Sequence, residues 1–201
     1  NLDLDLDRDY LGKENCTEVL VLTRPDAIQG IHESFLEVGA DVVETDTFGA
    51  NKLVLAEFDL VDQCRELNRK AALVARAACE NFATPDRPRF VAGSIGPGTK
   101  LLTLGNTHWD IMLDSYAEQV RGLLDGGVDV LLIETSQDLL QVKCAINACL
   151  VSLRERKLTT RDVPIMVQVT IETTGTMLLG TEIAAAANAL AMFPILSLGM
   201  N

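Results

Sequence analysis

Glu134 is the residue of this sequence whose position most needs a chemical reason. Apolar Val128 and the run Val130 to Ile133 lead straight into it. A carboxylate delivered by such a stretch loses its water unless a cation meets it. The ammonium group of an amino acid would serve, and so would a neighbouring arginine or the start of the next helix. Other polar residues close similar apolar runs: Thr45, Asp46 and Thr47 after "DVVE", Ser94 in "RFVAGSIG", Thr135 after Glu134, and Asn201 after "ILSLGM". In "PIMVQVTI", Gln168 and Thr170 alternate with Val167 and Val169, so both fall on one side of a strand. Chemistry in α/β proteins collects where parallel strands end, which makes this set the candidate site.

Other motifs fail on inspection. "DLDLDRDYLGKE" sets Asp5, Asp7 and Glu14 at calcium-loop spacing, but Arg8 stands where the sharp turn needs glycine. "GSIGPGTK" has the glycines of a phosphate loop without its Gly-Lys-Ser/Thr ending, so a βα loop forming a pocket wall fits it better. Asn15-Cys16-Thr17 matches a glycosylation sequon, but nothing in the sequence routes the chain through a secretory compartment. His32 falls within an amphipathic helix and His108 in a polar loop, so neither supports a Ser-His-Asp hydrolase. Lys100 and Lys143 lie in a loop and a helix, away from the strand ends where a Schiff-base lysine would be expected.

The elements that must hold these residues alternate regularly. Strands are predicted at 41–45, 89–96, 128–135, 164–171 and 195–199, with helices at 63–82, 115–124, 139–156 and 182–192 between them. A first helix is expected after Thr23 and Asp26, read as a capping box around Pro25, with Ile28, Ile31 and Phe35 on one helical face and Gly39 as its stop. "GADVVET" and "GVDVLLIET" repeat one glycine-strand-acid phrase. Strands separated by helices pair in parallel through right-handed crossovers, so the class is α/β. The closing "ILSLG" reads as a buried strand. Five strands cannot close an eight-stranded barrel, which normally takes about 250 residues. The expectation is one domain, residues 1–201, forming a partial TIM-type (β/α)8 barrel with both ends missing.

Composition narrows the function. A net charge of −12 with dispersed Lys and Arg argues against nucleic acid and anionic membranes. The sequence has no run of about 18 apolar residues and no basic leader, which reads as a soluble, cytoplasmic protein. Cys16, Cys64, Cys79, Cys144 and Cys149 form no C-x-x-C pair and read as reduced, half-buried thiols.

Five blocks, "GADVVETDTFGAN", "FVAGSIGPGTKL", "VDVLLIETSQDLLQVKCAI", "TGTMLLGTE" and "LGMN", resemble the homocysteine-binding barrel of the cobalamin-dependent methionine synthases. Those enzymes sit within the wider homocysteine S-methyltransferase family. The opening "LGKENCTEVLVLTRPDAI" is similar as well, and the likeness spans nearly the whole chain in order. By that resemblance Glu134 receives the homocysteine ammonium. Thr45, Asp46, Thr47 and Phe48 match a pocket-lining Thr-Asn-Thr-Phe in which Asp46 replaces the usual Asn. Ser94 joins that pocket, Gly96 and Pro97 match a Gly-Pro after the next strand, and Asp138 matches an acid beyond the glutamate. Asn201 matches the residue before the first of three zinc-binding cysteines.

The resemblance implies transfer of a methyl group to a zinc-bound homocysteine thiolate, giving methionine. The free thiol, with a pKa of about 8.5, is mostly protonated at neutral pH. The donor would be methylcobalamin, recharged from methyltetrahydrofolate by folate and cobalamin domains outside this chain. The zinc ligands and the opening Asp-Gly strand also fall outside it, so the chain alone is expected to be inactive and to expose unpaired strand edges. Two alternatives remain at this point: a cobalamin-independent enzyme of the same family using a sulfonium donor, and a non-catalytic α/β binding module with a structural Glu134.

Overall fold

A computed structural model describes residues 3–201. Five strands form one parallel sheet in chain order: β1 (Val42–Glu44), β2 (Phe90–Ile95), β3 (Val130–Ser136), β4 (Ile165–Val169) and β5 (Ser197–Met200). Each crossover carries a helix, as parallel pairing requires. The helices are α1 (Leu20–Thr23), α2 (Pro25–Glu37), α3 (Lys52–Leu55), α4 (Cys64–Phe82), α5 (Trp109–Asp125), α6 (Leu139–Glu155) and α7 (Ile183–Leu190). The predicted strands and the longer helices are present with ends shifted by a few residues. None of the helices among the described residues is long and apolar enough to cross a membrane.

Strand alternation divides the sheet into two faces. Val43, Val91, Ile95, Leu131, Ile133, Ile165, Val167 and Val169 are buried with Ala75 and Ala78 of α4, Val120 of α5 and Ala145 of α6. The register pairs Glu44 with Ala92, Ser94 with Leu132 and Leu132 with Met166, so these residues share the opposite face with Glu134 and Gln168. The repeated phrase works as read: Gly39 at φ +109° and Gly127 at φ +78° end their helices in the left-handed region that glycine tolerates. Asp129 then accepts from Arg76 at 2.6 Å and from the Val91 amide at 2.7 Å, tying the start of β3 to its neighbours.

Three expectations are corrected. Thr23 does not cap α2: it ends α1, and its hydroxyl donates to the Asp9 carbonyl at 2.6 Å, while Arg24 takes the cap position without a side-chain bond. Of the apolar face of α2, Ile28 is buried while Ile31 and Phe35 are 40% and 59% exposed beside Val42 on β1. β5 is not a buried strand. It is the other edge of the described sheet, with Leu196 and Met200 exposed, because only β4 covers it. The five thiols are fully rather than half buried.

Candidate functional site

A break in the β3 ladder aims Glu134. Ile133 pairs with Val167 and Ser136 with Val169, so β3 spends one residue more than β4 over the same stretch. The extra residue is accommodated at Thr135, whose φ of +54° is a rare conformation for a β-branched side chain. Such strain persists only where its surroundings hold it. Here the Asn201 amide donates to the Thr135 hydroxyl at 3.1 Å.

Two polar clusters meet at Glu134 and Thr135. In the first, the Ser94 hydroxyl donates to Glu134 Oε1 at 2.5 Å. The Ser94 amide donates to Thr45 Oγ1 at 3.0 Å, Thr45 and Thr47 share a hydroxyl bond of 2.6 Å, and the Thr47 hydroxyl donates to the Ser94 carbonyl at 2.7 Å. In the second, the Asn201 amide nitrogen of the main chain donates to the Val169 carbonyl at 3.0 Å and its side chain accepts from Thr170 at 3.3 Å. Gln168 is half-buried on the Glu134 face of β4.

No ion pair among the described residues involves Glu134. The next helix is capped by Asp138 instead, whose carboxylate accepts from the Leu140 amide at 2.9 Å and from Thr103 at 2.7 and 2.8 Å. Both of the structural partners available to Glu134 in principle, an arginine and the start of α6, are therefore absent or taken. Glu44 lies on the same face, and its carboxyl is raised above the ordinary range by loss of water first and the charge of Glu134 second. Two carboxylates with no cation between them make a surface suited to an ammonium group.

Phe48 and Gly96 contribute through their backbones. The Gly96 amide donates to the Phe48 carbonyl at 3.1 Å, and a Cβ on Gly96 would sit 2.5 Å from that oxygen. The phenyl ring is 44% exposed and, with Gly98 and Thr99, lines a cavity of about 250 Å³, the wall expected of the glycine-rich loop. Asp46 departs from the cluster. It turns towards Thr17, accepting from its hydroxyl at 3.4 Å, and its Oδ2 is buried without a partner. Burial first and Glu18 second push its carboxyl up to about 6. A larger cavity of about 670 Å³ lies beside β1, lined by Asp46, His32, Ile31 and Phe35.

Gln119 on α5 and Glu44 were missed in the sequence. Gln119 shares a helical face with Tyr116, Val120 and Leu123, and a long polar side chain on a largely apolar stripe is a readable signal. His32 is buried with its Nε2 unpartnered, and burial lowers its pKa, consistent with a structural role. His108 is exposed just before α5.

Among the described residues, no group of three or more His, Cys, Asp or Glu could hold an ion. In the acidic opening, Arg8 pairs with Asp9 at 2.7 Å. Burial pushes the Cys16 thiol up to about 11 and Cys64 and Cys144 up to about 12, whereas zinc binds the thiolate.

The family model for homocysteine S-methyltransferase matches residues 2–201. The chain is 47% identical over 199 residues to a protein named methionine synthase from Mycobacterium tuberculosis, covering 99% of this chain. The methionine synthase of Mycobacterium leprae matches equally, at 47% over 199 residues. The chain spans 16% of the length of these relatives. Among solved structures, the metallated form of the homocysteine methyltransferase MmuM from Escherichia coli superposes with a TM-score of 0.75 at 21% identity, covering 98% of this chain and 72% of that one. The fold is thus a partial (β/α)8 barrel.

Proposed function

The chain belongs to the homocysteine S-methyltransferase family, and from that premise we propose that it is the homocysteine-binding part of a methionine synthase. The single observation that carries the reading is Glu134, a carboxylate at a strand end, fixed by Ser94 and without an ion partner among the described residues. An ammonium group is the charge such a site lacks. Glu134 Oε1 is held by Ser94, which leaves Oε2 to receive the amino group. Gripping that end of the substrate orients the sulfur, and orientation alone lowers a bimolecular barrier substantially.

The overall reaction in this reading is methyl transfer to the homocysteine sulfur, giving methionine. Methylcobalamin recharged from methyltetrahydrofolate is the donor, supplied by folate and cobalamin domains of the full-length protein. The 47% identity to two methionine synthases of much greater length supports this donor over a sulfonium. Zinc, which in this reading activates the substrate thiol, draws no ligand from the residues described above. The free, buried cysteines and the acidic composition support a cytoplasmic setting.

Titration calorimetry of homocysteine on the full-length protein tests the assignment. Glu134→Gln keeps the shape and removes the charge, so affinity should fall roughly tenfold or more, the worth of one charge-assisted hydrogen bond. An unchanged dissociation constant removes Glu134 from the role.

A further inference from the structure

We propose that Gln119, on the outer helix α5, is a positioning residue for Glu134, acting through Thr47, Thr45 and Ser94. The inference rests on the reading of Glu134 as the ammonium receptor.

The network fixes its own proton directions. Thr47 has one hydroxyl proton and gives it to the Ser94 carbonyl. In the Thr45–Thr47 bond Thr45 must therefore be the donor. Thr45 then uses its remaining lone pairs to accept the Ser94 amide. Ser94 is held at both its amide and its carbonyl, and its own hydroxyl proton has one destination, Glu134 Oε1. No hydroxyl in this chain of bonds is free to rotate to another partner without breaking a second bond.

Gln119 closes the arrangement from outside the sheet. Its Nε2 donates to the Thr47 carbonyl at 2.8 Å and reaches the Ser94 carbonyl at 3.4 Å. Two carbonyls facing one side chain force the amide nitrogen towards them, which leaves Gln119 Oε1 buried and unpartnered. Gln119 and Thr47 are 0% exposed, Ser94 2% and Thr45 4%. An aliphatic residue would fill the same space on α5 without burying an unpaired oxygen, an arrangement that costs free energy. The amide is retained where it clamps the β1 loop to β2, and that clamp aims the serine that aims the carboxylate.

A double-mutant cycle on the full-length protein tests this by homocysteine calorimetry. Gln119→Met should weaken binding about 5-fold, the value of roughly 1 kcal/mol for one hydrogen bond. The same change in a Glu134→Gln background should have little further effect, because its route to the ligand is gone. Equal losses in both backgrounds would mean that Gln119 acts independently of Glu134 and would overturn the proposal. So would an unchanged affinity for Gln119→Met where Glu134→Gln alone weakens binding. If Glu134→Gln itself changes nothing, the fault lies in the functional reading. Should Gln119→Met fail to fold, Gln119→Asn, which keeps the amide but falls short of the Thr47 carbonyl, takes its place in the same cycle with the same two outcomes.

Discussion

The Asn201 side-chain amide donates to the hydroxyl of Thr135 across 3.1 Å, so the end of β5 holds the residue that follows Glu134. Thr135 sits at φ +54°, a conformation that costs a β-branched residue about 1–2 kcal/mol. The bond and the strain can be separated. Thr135→Val keeps the strain and loses the bond, and should destabilise the protein by roughly 0.5–1.5 kcal/mol. Thr135→Gly loses the bond but relieves the strain, and should be more stable than the valine variant by about 1 kcal/mol. Urea denaturation measures both. A valine variant as stable as the glycine variant would show that the backbone of Thr135 is not strained.

Asp46 is a second place where local energy opposes the fold. Its carboxyl is raised from 3.8 to about 6, chiefly by burial and then by Glu18. Between those two values the folded protein holds more protons than the unfolded chain. Stability therefore falls as pH climbs through that window, and the loss is complete above it. Asp46→Asn removes the charge and supplies a donor, and should stabilise the full-length protein by about 1–3 kcal/mol at pH 7. The gain should vanish below about pH 4. Thermal unfolding of both proteins from pH 4 to 8 checks the slope, and a gain independent of pH would contradict the burial argument.

The strands were legible because each was bounded by helices and because apolar runs such as Val130 to Ile133 have no other use in a small α/β domain. The carboxylate at the end of that run was legible for the same reason. Ser94 and Thr45 were legible as polar strand ends, but their bonding was not, since hydroxyl partners depend on loops brought together from 47 residues away. The exposure of Phe35 could not be read from periodicity, which reports the apolar face of a helix and says nothing of whether a neighbour covers it. Thr23 was misread because a capping pattern competes with any nearby carbonyl, and the carbonyl of Asp9 won.

Gly96 tests how closely the loop after β1 must approach the loop after β2. Its amide takes the Phe48 carbonyl at 3.1 Å, while a Cβ would stand 2.5 Å from that oxygen and 2.8 Å from the phenyl ring. Backbone oxygen cannot yield as a flexible side chain would, so Gly96→Ala must push residues 47–49 outward or break the bond. The expected cost is about 1–3 kcal/mol in urea denaturation, in the range for overpacking. Because Thr47 lies one residue before Phe48 and donates to Ser94, the displacement should also loosen the serine that holds Glu134. Homocysteine affinity in the folded variant should therefore fall by about 5-fold, as for loss of one hydrogen bond. A variant that loses stability but binds homocysteine with the parent's affinity would show that the two loops are joined for folding alone.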